Sequence, residues 1–245
     1  MDFLIPGWPA PANVQARVTM RRGGVSAAPY ASFNLGDHVG DDPAAVIANR
    51  AALRTCLPAE PLWLKQVHGR GIATTDPAIG VPEADGSVSR RPGRICAVLT
   101  ADCLPILFCD RAGTVVAAAH AGWRGLADGV LEAAVGAMTV EPGEILAWLG
   151  PAIGQQAFEV GEEVRQIFME NDPAAALAFI PSCPGGAGKW LADIYLLARQ
   201  RLLRAGVKQI FGGGYCTHTD AERFFSYRRD GVTGRMASLV WLDPQ

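Results

Sequence analysis

Residues 95–121 read I-C-A-V-L-T-A-D-C-L-P-I-L-F-C-D-R-A-G-T-V-V-A-A-A-H-A, and this stretch holds three short apolar runs separated by polar or turn-forming residues. Continuous apolar runs of this length, bounded by turn signals, are typical of strands that are buried on both faces. Strands are therefore predicted at 95–100, 104–109 and 114–119, and the D-R-A-G turn at 110–113 predicts a hairpin between the last two. The centre of the protein is expected to be a buried β-sheet.

The rest of the chain mixes helical patterns, strands and Gly/Pro-rich loops. Helices are predicted to begin at Asp42-Pro43 and to lie at 126–138, 160–169 and from 192 to a C-terminus at Gly206. Further strands are predicted at 62–67, 145–150 and 238–242, with loops at 21–43, 76–93 and 181–189. Because strands and helices do not alternate strictly, we expect an α+β or mixed α/β fold. No linker divides the sequence, so residues 1–245 are expected to form a single domain.

Composition narrows the class of protein. The chain has 245 residues, of which 49% are hydrophobic, and a formal net charge of −2. Neither a nucleic acid nor an anionic membrane is expected as a partner, since both favour a basic surface. The first ten residues lack the basic and apolar regions of a secretory signal, and no apolar run approaches the roughly 20 residues of a membrane helix. A cytoplasmic location is expected, and the six cysteines should then be mostly reduced and buried.

Three metal-binding residue types follow apolar runs at turn-forming residues. These are His68 in K-Q-V-H-G, Cys103 in T-A-D-C-L-P and His120 in A-A-A-H-A-G-W-R-G. Taken alone, His68 is more often an ordinary turn residue and Cys103 a core residue, whereas the glycines that follow His120 leave space beside its imidazole. If the three converge, two imidazoles and a thiolate form a ligand set for zinc with an open fourth position, as in catalytic zinc sites.

The residues leave three chemistries open. A catalytic zinc is the first, and copper is possible because copper binds such ligands more tightly than zinc does. A blue-copper centre is disfavoured, since no methionine lies near these motifs. The third chemistry needs no metal: Cys103 would be a nucleophile, with His120 or His68 as its base.

The region 224–236, F-F-S-Y-R-R-D-G-V-T-G-R-M, places arginines among aromatic residues. The guanidinium groups of Arg228 and Arg235 suit a phosphate or carboxylate, and the aromatic rings suit a purine, although a solvated surface hairpin would show the same pattern. Arg124 follows His120 by four residues and could reach an anion beside the metal. Cys216-Thr217-His218 is a possible second pair of ligands or a pocket wall, but no further ligand pair accompanies it.

Longer motifs extend along nearly the whole chain. They are G-V-S-x-x-P-Y-x-S-F-N-L-G-D-H-V-G-D-D-P from Gly24, Q-V-H-G from Gln66, T-A-D-C-L-P-I-L-F from Thr100, H-A-G-W-R-G-L from His120, G-P-A-I-G from Gly150, F-E-V-G from Phe158 and F-F-S-Y-R-R-D-G-x-T-G-R-M-A-S from Phe224. This combination closely resembles the YfiH/laccase-domain family, also called the multicopper polyphenol oxidase-like or peptidoglycan editing factor family.

The resemblance implies a mixed α/β sandwich and a zinc held by His68, Cys103 and His120. It also implies a purine nucleoside phosphorylase that acts on adenosine, inosine, guanosine and methylthioadenosine and that deaminates adenosine. Nucleoside and phosphate would then be the partners. Substrate contacts are expected at five positions: Asn34, Arg124, Cys216, Arg228 and Arg235.

Two observations bear on the chemistry that the resemblance implies. Zinc deaminases of nucleobases use the glutamate of an H-x-E motif to move a proton, and here His68 is followed by Gly69-Arg70. Asp102 is the nearest candidate in sequence for that task and joins the three ligands as a catalytic candidate. A copper-dependent polyphenol oxidase needs several coppers, and the chain has only four histidines. The alternatives that remain are that oxidase and a cysteine-dependent hydrolase that edits a peptidoglycan precursor.

Overall fold

The computed structural model describes residues 2–75, 80–182 and 188–243. Its strands are β1 Phe3–Leu4, β2 Val14–Thr19, β3 Pro61–Leu62, β4 Ile72–Thr74, β5 Gly86–Ser89, β6 Ile95–Thr100, β7 Leu104–Asp110, β8 Val116–Ala121, β9 Ile145–Leu149, β10 Glu159–Gly161, β11 Phe179–Pro181, β12 Lys189–Ala192, β13 Gln209–Gly212 and β14 Met236–Leu242.

The helices are α1 Pro43–Arg54, α2 Trp123–Asp128, α3 Val130–Ala137, α4 Glu162–Asn171, α5 Ile194–Arg204 and α6 Tyr227–Asp230. Short 3-10 turns lie at Pro142–Glu144, Gln155–Ala157 and Pro173–Ala178. Among the described helices, none combines the length and apolar character that a membrane-spanning helix requires.

Two mixed sheets form the centre of the fold. The first has the strand order β1-β2-β14-β6-β3, and the second has the order β13-β9-β7-β8-β5-β4. A smaller antiparallel sheet has the order β10-β12-β11 and packs into the same apolar cluster as one face of the second sheet. The β7–β8 pair is antiparallel, so the hairpin predicted around residues 110–113 is confirmed. Mixed sheets flanked by helices also confirm the predicted fold class.

The apolar residues form layers because strand side chains alternate between the two faces of a sheet. In β7, Leu107 and Cys109 pack toward the five-stranded sheet, whereas Ile106 and Phe108 pack toward the helices. The outer face of the five-stranded sheet packs against α1, partly through Leu53. Strand β7 is buried throughout, as its continuous apolar sequence predicts.

The strand predicted at 62–67 is wrong in length. Main-chain pairing with β6 ends at Leu62, and only an isolated bridge joins Lys65 to Glu83. The side-chain amide of Gln66 takes over the pairing: it donates to the Leu99 carbonyl at 2.8 Å and accepts the Leu99 N–H at 2.7 Å. The Gln66 side chain therefore makes the hydrogen bonds to the edge of β6 that a neighbouring main chain was expected to make.

The loop predicted at 76–93 contains a strand. Residues 86–89, G-S-V-S, form β5 between β4 and β8, and all four residues are buried. At Gly86 a Cβ atom would lie 2.6 Å from Ile72 Cδ1 and 2.8 Å from the Ala118 carbonyl oxygen, so the close approach of neighbouring strands requires glycine. Tertiary packing makes this polar stretch a strand. Residues 76–79 of the predicted loop lie outside the described residues.

Several helix boundaries also differ from the predictions. The helix expected at 126–138 is two helices, α2 and α3, separated at Gly129 with φ +99°. The helix expected at 160–169 begins at Glu162, because Glu159–Gly161 pairs as β10. Gly206, with φ +90°, follows the C-terminus of α5 as predicted. The loop expected at 181–189 lies between β11 and β12, and its residues 183–187 lie outside the described residues.

Candidate metal centre

His68, Cys103 and His120 converge in the fold. Their ligand atoms all lie within 4.8 Å of one another, and Cys103 Sγ lies 3.9 Å from His68 Nε2. His120 is buried and His68 is exposed, so the group is open on one side. Within the described ranges, no other cluster of His, Cys, Asp and Glu has this arrangement.

Adjacent elements of the sandwich position the three side chains. Cys103 lies in the turn between β6 and β7. His120 lies within β8, opposite Pro105, and the strand continues to Ala121. The strand predicted at 114–119 therefore ends two residues later than expected, and His120 lies inside it. His68 occupies a turn with φ +60°, a backbone region that side chains other than glycine seldom adopt.

Asp85, which the sequence did not single out, holds both histidines. Its fully buried carboxylate accepts the backbone N–H groups of Val67, His68 and Gly69 at 3.2, 2.9 and 2.7 Å. The same carboxylate lies 2.8 Å from His120 Nδ1, which leaves Nε2 of that ring for a metal. A carboxylate behind a ligating imidazole fixes its tautomer and orientation. Three hydrogen bonds from one turn also offset the unfavourable φ of His68.

The electrostatics of the group favour a positive charge among the ligands. Burial opposes ionisation of Cys103, yet the charge of His120 and hydrogen bonds from both imidazoles lower the pKa of its thiol to about 6. Burial also opposes charge on His120, but the Cys103 thiolate and the Asp85 carboxylate raise the pKa of the imidazole to about 9. Burial raises the pKa of Asp85, but the hydrogen bonds from His120 and Gly69 lower it by more. The pKa of this carboxyl is therefore below its usual value.

The donor set fits a divalent cation. A proton on His120 compensates Cys103 and Asp85 in the absence of a metal, and a cation at the three ligand atoms would take the place of that proton. Two nitrogens and a sulfur with a fourth position open suit zinc, and they also suit copper. Gly122 keeps the space clear, because a Cβ there would lie 2.8 Å from His68 Cδ2 and 3.1 Å from Cys103 Sγ.

Two cavities flank the ligands. The aromatic cavity has a volume of about 240 Å³. It is lined by Trp123, Arg124, Ile153, Phe158, Ile194 and Arg228, together with Asp102. The Arg235 cavity has a volume of about 390 Å³ and is more polar. It is lined by His38, Gln66, Leu99, Thr100, His120 and Arg235. Both cavities share four residues, namely His68, Ala101, Cys103 and Tyr227.

Arg235 offers an anion site in the second cavity. Its Nη1 donates to the Thr233 and Gly234 carbonyls of its own loop, each at 3.0 Å. Among the residues that the structure describes, no carboxylate forms an ion pair with this guanidinium. Burial lowers the pKa of Arg235 from its usual value. A half-buried, unpaired guanidinium gains from binding an anion.

The other predicted arginines differ in their surroundings. Arg124 is exposed at the aromatic cavity, with its guanidinium 4.5 Å from the Trp123 ring centroid. Arg228 donates to the Ala157 and Glu159 carbonyls at 3.3 and 3.0 Å, and so it joins α6 to the cavity wall. The neighbouring Arg229 is a structural residue: it donates to the backbone carbonyls of Thr217, His218 and Phe224.

Asp102 lines the aromatic cavity, but both of its carboxylate oxygens have partners. Oδ1 accepts the Thr217 hydroxyl at 2.6 Å, and Oδ2 accepts the Arg228 backbone N–H at 2.6 Å. These contacts hold the start of α6, and with it Tyr227, against the turn that carries Cys103. The carboxylate is therefore engaged in positioning structure next to the ligands, a role that the sequence did not indicate.

Asn34 and Cys216 lie outside the linings of both cavities. Asn34 is fully buried, and its side-chain oxygen accepts the Arg235 backbone N–H at 2.9 Å. It supports the loop that presents Arg235 immediately before β14. Cys216 Sγ accepts the Gly154 N–H at 3.3 Å. A direct substrate contact by either residue stays a prediction, and their visible contacts are with the protein itself.

The residues that sequence reasoning missed are Asp85, His38 and Tyr227. Asp85 is separated by 35 residues from His120, and a carboxylate partner for a ligating histidine could be expected in general but not located. His38 and Tyr227 belong to quoted motifs, yet only the fold places them at the cavities. Tyr227 lines both cavities and is 61% exposed, so it is not a core residue.

Comparison with known proteins gives consistent matches over the full chain. The purine nucleoside phosphorylase PA4543 of Pseudomonas aeruginosa is 58% identical over 240 residues, covering 98% of each protein. The purine nucleoside phosphorylase YfiH of Escherichia coli K12 is 57% identical over 243 residues, again covering 98% of each. The crystal structure of Neisseria meningitidis protein NMB0706 matches with a TM-score of 0.95 at 53% identity and full coverage of both chains. That of YlmD from Geobacillus stearothermophilus matches with a TM-score of 0.91 at 33% identity, covering 100% of this chain and 97% of that one.

Residues 15–243 match the family described as multi-copper polyphenol oxidoreductase laccase. The relatives in this comparison carry the name purine nucleoside phosphorylase, so the family description and the names of its members point to different chemistries. The sequence motifs, the fold and the converged ligands agree with this membership. The chain belongs to the YfiH-like, laccase-domain family.

Proposed function

We propose that the protein is a zinc-dependent purine nucleoside phosphorylase. Its substrates would be phosphate and adenosine, inosine, guanosine or methylthioadenosine, and adenosine deamination would be a second activity. The names of relatives that are 57 and 58% identical support the phosphorylase. The observation that carries the proposal is the position of the His68–Cys103–His120 group between an aromatic cavity and a cavity with an unpaired arginine.

Each cavity suits one part of the reactants. A purine is flat and mostly apolar, and the Trp123, Phe158 and Tyr227 rings of the aromatic cavity offer it contact surfaces. Phosphate is a compact anion, and the Arg235 guanidinium offers it charge-assisted hydrogen bonds in a partly desolvated site. The sugar would then lie next to the shared wall formed by His68 and Cys103.

The ligand residues have a defined part in this scheme. His68, Cys103 and His120 would hold a zinc ion, which would supply a Lewis acid beside the reacting sugar and base. Asp85 keeps His120 in the tautomer that offers Nε2 and keeps the His68 turn in place. Asp102 holds α6 and Tyr227 against the cavity through Thr217 and the Arg228 N–H. The proposed deaminase activity needs a proton carrier other than an H-x-E glutamate.

The proposal is tested by incubating zinc-replete protein with adenosine and phosphate and separating the products by chromatography. Adenine with ribose 1-phosphate would indicate phosphorolysis, and inosine would indicate deamination. Cys103→Ala should abolish both activities and lower the zinc content to well below one per chain. Cys56→Ala removes an exposed thiol that belongs neither to the ligand group nor to the lining of either cavity, and it should change neither. If the wild-type protein yields no product, or if Cys103→Ala is as active as the wild type, the proposal is wrong.

One observation favours a second candidate. Cys103, His120 and Asp85 also form a thiol–imidazole–carboxylate series, and the pKa of Cys103 is lowered to about 6. Such a series is the arrangement of a cysteine nucleophile with its base and orienting acid. A hydrolase editing a peptidoglycan precursor would use it without metal. Activity of chelator-treated protein on a muropeptide, with trapping of an acyl-Cys103 adduct, would support this candidate, whereas strict metal dependence would exclude it.

Ligand number argues against a multicopper oxidase. The structure groups three metal ligands at a single place within the described residues, and the chain has four histidines altogether. Oxidation of phenols by a multicopper mechanism needs several coppers. Phenol oxidation by copper-loaded protein at a rate above that of a Cys103→Ala variant would revive this alternative.

A further inference from the structure

We propose that His38 is the general base of this site, accepting the proton of the phosphate bound at Arg235. The inference rests on the proposed function and deepens it. His38 belongs to the N-L-G-D-H-V-G-D-D segment of the long loop at 21–43. The His38 ring lines the Arg235 cavity together with Cys103 and His120. A phosphate in that cavity can therefore contact both His38 and the candidate metal ligands.

A series of contacts orients the imidazole. His38 Nδ1 lies 3.5 Å from Asp37 Oδ1, and the other oxygen of Asp37 lies 3.2 Å from Arg50 Nη2. Arg50 donates to the Leu35 carbonyl at 3.0 Å, and its guanidinium lies 4.3 Å from the Trp63 ring centroid. Helix α1 and the region after it therefore hold Asp37, and Asp37 directs Nε2 away from itself. A base oriented by a carboxylate is the usual arrangement for proton transfer.

The charges around His38 set its protonation state. Partial burial and the neighbouring Arg235 guanidinium lower the pKa of His38, and Asp37 only partly compensates for them. The imidazole is therefore neutral near pH 7 and able to accept a proton. An anion on Arg235 would favour the imidazolium, so His38 becomes more basic when phosphate is present. The titratable or charged groups around it are Asp37, Arg50, Arg235, Tyr227, His68, Cys103 and His120.

The proton balance of phosphorolysis gives such a base a defined part. A phosphate oxygen forms a bond to C1′ of the sugar as the C1′–N bond to the purine breaks, and the electron pair of that bond goes to the purine. The purine then needs a proton, and the hydrogen phosphate has one to lose. His38 takes that proton on Nε2 and releases it to solvent, and the purine in the aromatic cavity takes its proton from solvent. The imidazole ends neutral, as it began, so no other reactant is consumed.

The test compares His38→Asn with the wild type and with His218→Asn, which removes an imidazole outside both cavities. Rates with saturating nucleoside and phosphate are measured from pH 5 to 9, and the variants are compared at equal pH so that ionisation of free phosphate cancels. His38→Asn should lower kcat by on the order of 100-fold or more and remove the loss of rate on the acidic side. Added imidazole should restore part of the rate, while zinc content stays unchanged.

A second variant separates proton transfer from a structural role. Asp37→Asn removes a negative charge that favours the imidazolium, so the acidic limb of the pH profile should move to lower pH. The proposal is overturned if His38→Asn keeps the wild-type kcat and pH profile, or if only its KM for phosphate rises. A wild-type protein that produces no free purine would instead refute the proposed function, whatever His38 does.

Discussion

Asp85 shows how much of the candidate metal centre depends on a single buried carboxylate. It accepts hydrogen bonds from three consecutive N–H groups of the His68 turn and one from His120, so it fixes two of the three ligands. The remaining ligand, Cys103, is fixed by the turn between β6 and β7. A substitution at Asp85 should therefore weaken metal binding, although Asp85 lies 35 residues before His120 in the sequence.

We expect Asp85→Asn to weaken zinc binding by about 10- to 100-fold, because the amide nitrogen would face N–H donors and the His120 tautomer would no longer be fixed. Affinity would be measured by competition with a chromophoric chelator. Asp110→Asn is the matched control: that carboxylate is also buried, and it accepts hydrogen bonds from Thr114 and Val115. The control should lower stability but leave zinc affinity unchanged. Equal effects of the two variants on zinc affinity would contradict this assignment.

Helix α2 determines the space beside the ligands. It packs onto the His68–Gly69 turn so closely that a Cβ on Gly125 would lie 2.6 Å from the Gly69 carbonyl oxygen. The next helix, α3, starts after Gly129 and packs on the apolar side of the six-stranded sheet. Because the chain breaks between the two helices, α2 can pack against the His68–Gly69 turn while α3 packs against the six-stranded sheet.

Gly125→Ala should displace the His68 turn, lowering the free energy of unfolding by about 1–3 kcal/mol and reducing zinc affinity. Gly136→Ala is the control, since a Cβ at that exposed α3 position meets no atom within 4 Å. It should raise the stability by up to about 1 kcal/mol, because alanine is the better helix former. Urea unfolding and chelator competition measure both effects. If Gly125→Ala has the stability and zinc affinity of the wild type, the His68 turn can move without loss of free energy and the prediction is wrong.

The two large sheets form a sandwich. The six-stranded sheet lies between the five-stranded sheet and the helices, and its strand β8 carries His120. The two large sheets share a core that includes Leu107, Trp148 and Val240. The turn that carries Cys103 joins β6 of one sheet to β7 of the other. The relative position of the sheets therefore sets the distance from Cys103 to His120 on β8. Stability of the sheet interface and geometry of the site are thus coupled.

Leu107→Ala should lower the free energy of unfolding by about 2–5 kcal/mol, because it leaves a cavity between the two sheets. Leu177→Ala is the control: this leucine is 75% exposed, and its loss should change stability by no more than about 0.5 kcal/mol. Equilibrium unfolding in urea compares the two. A small effect of Leu107→Ala would mean that the interface collapses to fill the space.

The sequence by itself determined the buried strands, the β7–β8 hairpin and the residue types of the three ligands. These follow from local patterns, since apolar runs, turn residues and the chemistry of His and Cys can be read over a few neighbouring positions. It also predicted anion binding at both Arg228 and Arg235, and only the structure shows that the Arg228 guanidinium donates to the Ala157 and Glu159 carbonyls.

Only the tertiary structure decided which residues surround the ligands. Strand β5 forms from a polar stretch because β4 and β8 enclose it, and Gln66 ends its strand because its side chain reaches Leu99. Asp85 approaches His120 from 35 residues away, and Arg228 meets Asp102 from 126 residues away. Such contacts depend on how the sheets pack, and local propensity carries no information about them. The three candidate metal ligands could therefore be predicted from the sequence, whereas their carboxylate support and the two cavities could be found only from the fold.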